Sequence, residues 1–114
     1  MPLQTRICEI LEIEYPIFLA GMGGASVPAL AAAVSNAGGL GVLGAAACSP
    51  DQLRSWIRQT REMTDKPFGV NLTILPSINP PPYEEYLKAA VESGVKVIET
   101  AGNNPEPFLP YLKE

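Results

Sequence analysis

Four times along the chain a short apolar run gives way to glycine or asparagine and then to a helical pattern. No other feature constrains the fold as much. The apolar runs end at Ala20, Leu43, Leu72 and Thr100, so successive units are 23, 29 and 28 residues apart. A complete (β/α)₈ barrel averages about 31 residues per unit. The spacing predicts an α/β fold that is the N-terminal half of such a barrel. About four parallel βα units would fill residues 1–114, stopping before a second half. In parallel α/β folds ligands bind where the strands end, so the residues after each apolar run are the candidates for function.

Ile7–Ile13 is an amphipathic lead-in, predicted to close the bottom of the barrel. Ile17–Ala20 is unbroken apolar sequence, as in a strand buried on both faces. Its helix opens near Ser26, carries Leu30, Ala33, Val34 and Ala37 on one face, and stops at Gly38. Leu40–Leu43 is the second strand. Ser49, Pro50 and Gln52 then make a capping box with proline at the first helical position, ahead of the inner face Leu53, Trp56, Ile57 and Thr60. The turn Asp65-Lys66-Pro67 enters the third strand, Phe68–Leu72, and an extended proline-rich loop follows over Pro76–Pro82. Tyr83, Leu87, Ala90 and Val91 mark the third helix, with Gly94 as its stop. Val95–Thr100 is the fourth strand, and Asn104-Pro105 starts a last helix running to Glu114. Right-handed crossovers predict strand order 1-2-3-4, with the helices on one face.

Composition excludes several classes of function. The chain is 46% hydrophobic and 18% charged, too apolar for disorder. Its apolar stretches are interrupted well before the roughly 18 residues a membrane span needs. Met1–Glu14, with Arg6, Glu9, Glu12 and Glu14, is no secretory signal, and a cytoplasmic protein is expected. A net charge of −4 argues against nucleic acid as a partner. Cys8 and Cys48 have no metal-ligand spacing and read as free thiols. There is no histidine, the side chain that most acid–base and metal chemistry at neutral pH recruits.

Three constellations follow strands. Gly21-Met22-Gly23-Gly24 could bring backbone amides close to a flat heterocycle or an anion, or could simply be a tight strand-to-helix turn. Neither it nor Gly38-Gly39-Leu40-Gly41 has the spacing of the dinucleotide fingerprint. In Gly69-Val70-Asn71-Leu72-Thr73, Asn71 is a polar amide within an apolar strand, where it must find partners. An amide that donates and accepts suits a uracil-like edge such as the pyrimidine part of a flavin; it also suits a structural tie between two strands. In Glu99-Thr100-Ala101-Gly102-Asn103-Asn104, Glu99 sits near the strand end with Thr100 and Asn103 expected on the same face. Asn104 reads as a helix cap, and Glu99 as one member of a buried pair, with Lys66 or Lys96 as candidate partners. Tyr83 and Tyr86 read as helix packing. Cys48 follows the second strand on the ligand side, with no base to activate it.

Taken together, these segments resemble the nitronate monooxygenases, formerly 2-nitropropane dioxygenases, which are FMN-containing TIM barrels. The resemblance covers the whole chain. It runs through Pro16-Ile17 to Gly21-Met22-Gly23, Ala31–Leu40, Lys66–Thr73 and Glu99–Asn103. Val70–Thr73 with Leu75-Pro76 and Pro82-Tyr83 looks more like the nitronate-oxidising class than like the related flavin-dependent enoyl reductases, the alternative reading; a non-catalytic half-barrel is the third. The resemblance implies FMN as cofactor, bordered by the backbone of Gly21, Met22 and Gly23. Asn71 and Thr73 would hydrogen-bond the ring, with Thr100, Gly102 and Asn103 near the same site. It implies oxidation of an alkyl nitronate, such as propionate 3-nitronate, with O₂ to a carbonyl compound and nitrite. The family's active-site histidine lies in a later segment, so these 114 residues are expected to hold no catalytic residue, to be inactive alone and to self-associate.

Overall fold

The computed structural model describes residues 3–75 and 78–112, and in it three parallel strands form one sheet. Strands β1 (Gly41–Gly44), β2 (Phe68–Ile74) and β3 (Val97–Gly102) lie in the order β1-β2-β3. Gly41 pairs with Phe68 and Gly44 with Asn71; Gly69 pairs with Val97 and Ile74 with Gly102. Helices α2 (Pro28–Asn36), α3 (Pro50–Met63) and α4 (Tyr83–Glu92) connect and cover them. A short helix α1 (Arg6–Leu11) precedes, and a 3₁₀ turn Glu106–Phe108 leads into α5 (Leu109–Leu112). Among the described residues no helix is long and apolar enough to cross a membrane.

Strand alternation divides the side chains between two faces. Leu43, Val70, Leu72 and Ile98 point to α2, α3 and α4, packing with Leu53, Ile57, Leu87 and Ala90. On the opposite face Leu40 and Val42 meet Cys8 and Ile13, with Leu11 and Val97 alongside. Helix α1 therefore covers the start of the strands, where the amphipathic lead-in was expected. The strand ends on that face stay uncovered, and this is what positions the site.

The first predicted strand is the main correction. Ile17–Ala20 forms only a single parallel bridge, Phe18 to Leu40, made by Leu19 N–H donating to Leu40 O and Leu40 N–H to Ile17 O, each at 2.9 Å. Nor is the segment buried on both faces, since Ile17 is 63% and Phe18 43% exposed. Among the described residues no strand pairs with its outer edge, and one-sided pairing holds only a fragment of a ladder.

The helix signals held at α3 but not on α2, where the expected stripe fails. Leu30, Ala33 and Ala37 are exposed, and the helix buries Pro28, Ala31, Ala32 and Ser35 instead, the side on which Gly41 of β1 closes against Ala31. Ser49 Oγ accepts from Gln52 N–H at 3.2 Å, Pro50 is the first helical residue, and the apolar stripe Leu53, Ile57 and Thr60 is buried. Gly38 and Gly94, at φ of 105° and 80°, end α2 and α4. Ser35, buried in α2, donates to Pro67 O at 2.8 Å and accepts from Gly41 N–H at 3.0 Å, tying that helix to the starts of two strands. Ahead of the last predicted helix Glu106 N–H donates to Asn104 Oδ1 at 3.0 Å, but Pro105 rather than Asn104 stands at the N-cap and the first turn is 3₁₀. Pro76 and Ser77 of the proline-rich loop, and Lys113 and Glu114, lie outside the described residues.

Candidate functional site

At the carboxyl end of the sheet, on the face α1 leaves open, lies a cavity of about 490 Å³. It falls within the roughly 300–1,000 Å³ of ligand pockets generally. Gly21 and Gly23 form one side, Gly44 and Ala46 the back, Asn71 and Thr73 the floor. The segment after β2 closes it with Leu75, Asn79, Pro81 and Tyr83.

Asn71 is the best-held polar group here. It is only 4% exposed. Its Nδ2 donates to Glu99 Oε1 at 2.8 Å, and Thr73 Oγ1 donates to its Oδ1 at 3.1 Å. The partner of Glu99 is thus Asn71, directly opposite across the β2–β3 ladder, and neither Lys66 nor Lys96. Two residues apart on one strand, Asn71 and Thr73 share a face, which is why they can bond.

The glycine loop is pinned by a residue that motif reading passed over. Ser26, fully buried, accepts from Met22 N–H at 2.7 Å and donates to Ala20 O at 2.6 Å. Its backbone oxygen also accepts from Gly44 N–H at 3.0 Å. One serine fixes the loop against the end of β1; its signal was a small polar residue just ahead of a helix. Gly21 then passes so near Asn71 that a Cβ there would lie 2.4 Å from Asn71 Cβ. Only glycine fits that approach.

The predicted site residues divide. Gly21, Gly23, Asn71 and Thr73 come together on the cavity. Met22, between the two glycines, is not among the residues lining the cavity; its N–H is taken by Ser26 and it is 42% exposed. Thr100 does not share a face with Glu99, contrary to expectation: neighbours on a strand point to opposite sides, and Thr100 follows Ile98 toward the helices. Gly102, at φ 87°, and Asn103, whose N–H donates to Ile74 O at 2.8 Å, turn the chain out of β3 at the same end of the sheet, outside the cavity wall.

Tyr83 does two things where packing alone was expected. Its ring meets Phe108 edge to face at 5.6 Å, and its hydroxyl accepts from Leu75 N–H at 3.1 Å while lining the cavity. Tyr86 keeps to packing, donating to Cys48 O. Burial pushes the Cys48 thiol up from 9.0 to about 11, so it is no nucleophile at neutral pH. Among the described residues no cluster of His, Cys, Asp or Glu could hold a metal ion.

The family model for nitronate monooxygenase matches residues 4–107. The chain belongs to the nitronate monooxygenase family. It is 40% identical over 112 residues to a probable nitronate monooxygenase of Staphylococcus saprophyticus, a match covering 96% of this chain and 30% of that protein. With a nitronate monooxygenase of Paraburkholderia phytofirmans identity is 57% over 69 residues, covering 60% of this chain and 19% of that one. Two TIM-barrel enzymes share the fold. FabK from Thermotoga maritima superposes with a TM-score of 0.89 at 43% identity, covering 97% of this chain and 34% of its own. Nitroalkane oxidase from Streptomyces ansochromogenes superposes at 0.79 with 25% identity, covering 96% and 40%. The chain thus spans about a third of the length of the relatives it matches.

Proposed function

We propose that this chain carries the flavin-facing part of an FMN-dependent nitronate monooxygenase. The observation that supports this reading most is the buried Asn71 amide, oriented by Glu99 and Thr73 on the floor of the cavity and faced by a glycine that admits no side chain. An alternating donor and acceptor beside a side-chain-free surface suits the edge and face of a flat heterocycle. Asn71 and Thr73 would hold the ring's polar edge. The backbone of Gly21, Met22 and Gly23 would border it, with the Gly102-Asn103 turn further out at the same end.

FMN, when bound, would supply the redox chemistry for oxidation of an anionic alkyl nitronate, such as propionate 3-nitronate, by O₂ to a carbonyl compound and nitrite. The protein's part is to bind and orient. Ser26 keeps the loop amides in register, Glu99 and Thr73 keep the Asn71 amide from turning, and Leu75, Pro81 and Tyr83 screen one side from water. The described residues lining the cavity carry amide, hydroxyl and apolar groups, which suits them to binding and orienting a ligand.

Identity alone does not choose the substrate, since FabK at 43% stands level with the staphylococcal relative at 40%. The test is twofold. FMN added to the 114-residue chain should show quenched flavin fluorescence, and Asn71→Ala should weaken it. Replacing the matching third of the Staphylococcus saprophyticus protein with this chain should then give a flavin-retaining hybrid that releases nitrite from propionate 3-nitronate. A hybrid that holds flavin but releases no nitrite would refute the nitronate reading.

A further inference from the structure

The Glu99–Asn71–Thr73 chain of hydrogen bonds has only one polarity open to it. Asn71 and Glu99 are register partners across the ladder, and the 2.8 Å contact joins the amide to a carboxylate. A carboxylate has no hydrogen to give, so the end of the amide nearest Glu99 is the NH₂ group. Asn71 Oδ1 then faces Thr73 at 3.1 Å. An amide oxygen only accepts, so the Thr73 hydroxyl hydrogen is committed to it. Thr73 is on the cavity lining, and its hydroxyl has only lone pairs left to offer a ligand.

We infer that Glu99 is the positioning residue of this site, setting through Asn71 the direction of all three groups and making Thr73 an acceptor toward the ligand. Glu99 itself stands outside the cavity wall and acts only through Asn71. The consequence is a ligand class: whatever rests on Thr73 presents a hydrogen-bond donor there, an N–H or an O–H, and a bare carbonyl is disfavoured. An acceptor set against a buried acceptor leaves both unpaired. In the FMN reading, on which this ligand class rests, the donor is either the imide N–H of the ring or a hydroxyl of its sugar-alcohol chain.

Two measurements test this, and the first needs no ligand. In the isotopically labelled chain, one proton of the Asn71 side-chain amide should resonate downfield, as for a hydrogen bonded to a carboxylate. Glu99→Leu should return it to the free-amide position, Glu99→Gln should restore it in part, and Thr73→Val should leave it in place. A purely structural Glu99 would alter stability without this selective pattern. The second measurement compares riboflavin with N3-methylriboflavin, which lacks the imide N–H, and with lumiflavin, which lacks the hydroxyl chain. The native chain should bind riboflavin about tenfold more tightly than one of the two, the one missing the donor that Thr73 receives. Thr73→Val should erase that preference. An Asn71 amide signal unmoved by both Glu99 variants overturns the positioning role, and a native chain indifferent to both donor deletions overturns the ligand class. If no flavin binds while the amide signal behaves as described, the FMN reading fails and the polarity set by Glu99 stands.

Discussion

Asn71 and Gly21 are a matched pair, and substitution of either should be felt at the other. Asn71→Ala removes the amide from a floor where both partners are part-buried. Losing such a bond costs about 1–3 kcal/mol, so FMN affinity should fall roughly 5- to 150-fold, measured by fluorescence titration. Gly21→Ala should do comparable harm from the other side, because its methyl group would meet Asn71 at 2.4 Å and force the amide from its seat. Combining the two should cost only slightly less than the sum of the single losses, since alanine at 71 removes Cγ and Oδ1 but keeps the Cβ that stands at 2.4 Å. Cys48 makes a different prediction. Its thiol is raised from 9.0 to about 11 in the fold, so the folded chain keeps a proton that the unfolded chain releases from about pH 9 upward. The stability this group contributes is complete below about pH 9 and is lost as pH climbs toward 11. Urea midpoints measured between about pH 8 and 10.5 should therefore fall more steeply for the native chain than for Cys48→Ala.

Helix α2 and strand β1 approach so closely that one position decides their contact. A Cβ on Gly41 would lie 1.9 Å from Ala31 O, a backbone atom that cannot swing aside, so Gly41→Ala should separate the two elements and cost several kcal/mol, on the scale of other core overpacking. Ser49→Ala on α3 should cost only about 1 kcal/mol, the usual worth of an N-cap. Denaturant unfolding of the two variants gives the contrast. The same elements show what was legible beforehand. The start of helix α3 could be read to the residue because its cap and proline are local signals, as is most of its apolar stripe. The strand at Ile17–Ala20 looked as convincing, yet a strand is made by neighbours on both sides, which composition does not record. For the same reason Asn71 stood out as a polar residue in an apolar run, whereas its tie to Glu99 did not, since that rests on a cross-strand register. Ser26 escaped because its job is to hold backbone atoms, and such a role leaves no motif.

At the scale of the whole molecule, three parallel strands with helices on one side make a layer that is finished on one face only. The helix face holds the main core, while the opposite face is covered only where α1 lies over the strand starts. Both margins of the sheet offer unpaired backbone: among the described residues nothing pairs with the outer side of β3, nor with the outer side of the Phe18 bridge. Around the second margin stand Ile17 and Phe18, and near the cavity Met22 and Leu75, all substantially exposed. Open edges and contiguous apolar side chains are the two features that draw chains together. The chain should therefore self-associate, with sedimentation velocity showing a weight-average mass that rises with concentration. Placing charge on the margin, in the double variant Ile17→Lys and Phe18→Glu, should shift it toward monomer while leaving α3 and its cap untouched, because neither side chain belongs to the core that α3 packs against. The helical circular dichroism of that variant should match the native chain. A native chain monomeric across the whole concentration range would show that the open face is tolerated in water. Association unaffected by the charged margin would place the contact elsewhere, with the open inner face around Met22 and Leu75 as the surface to alter next.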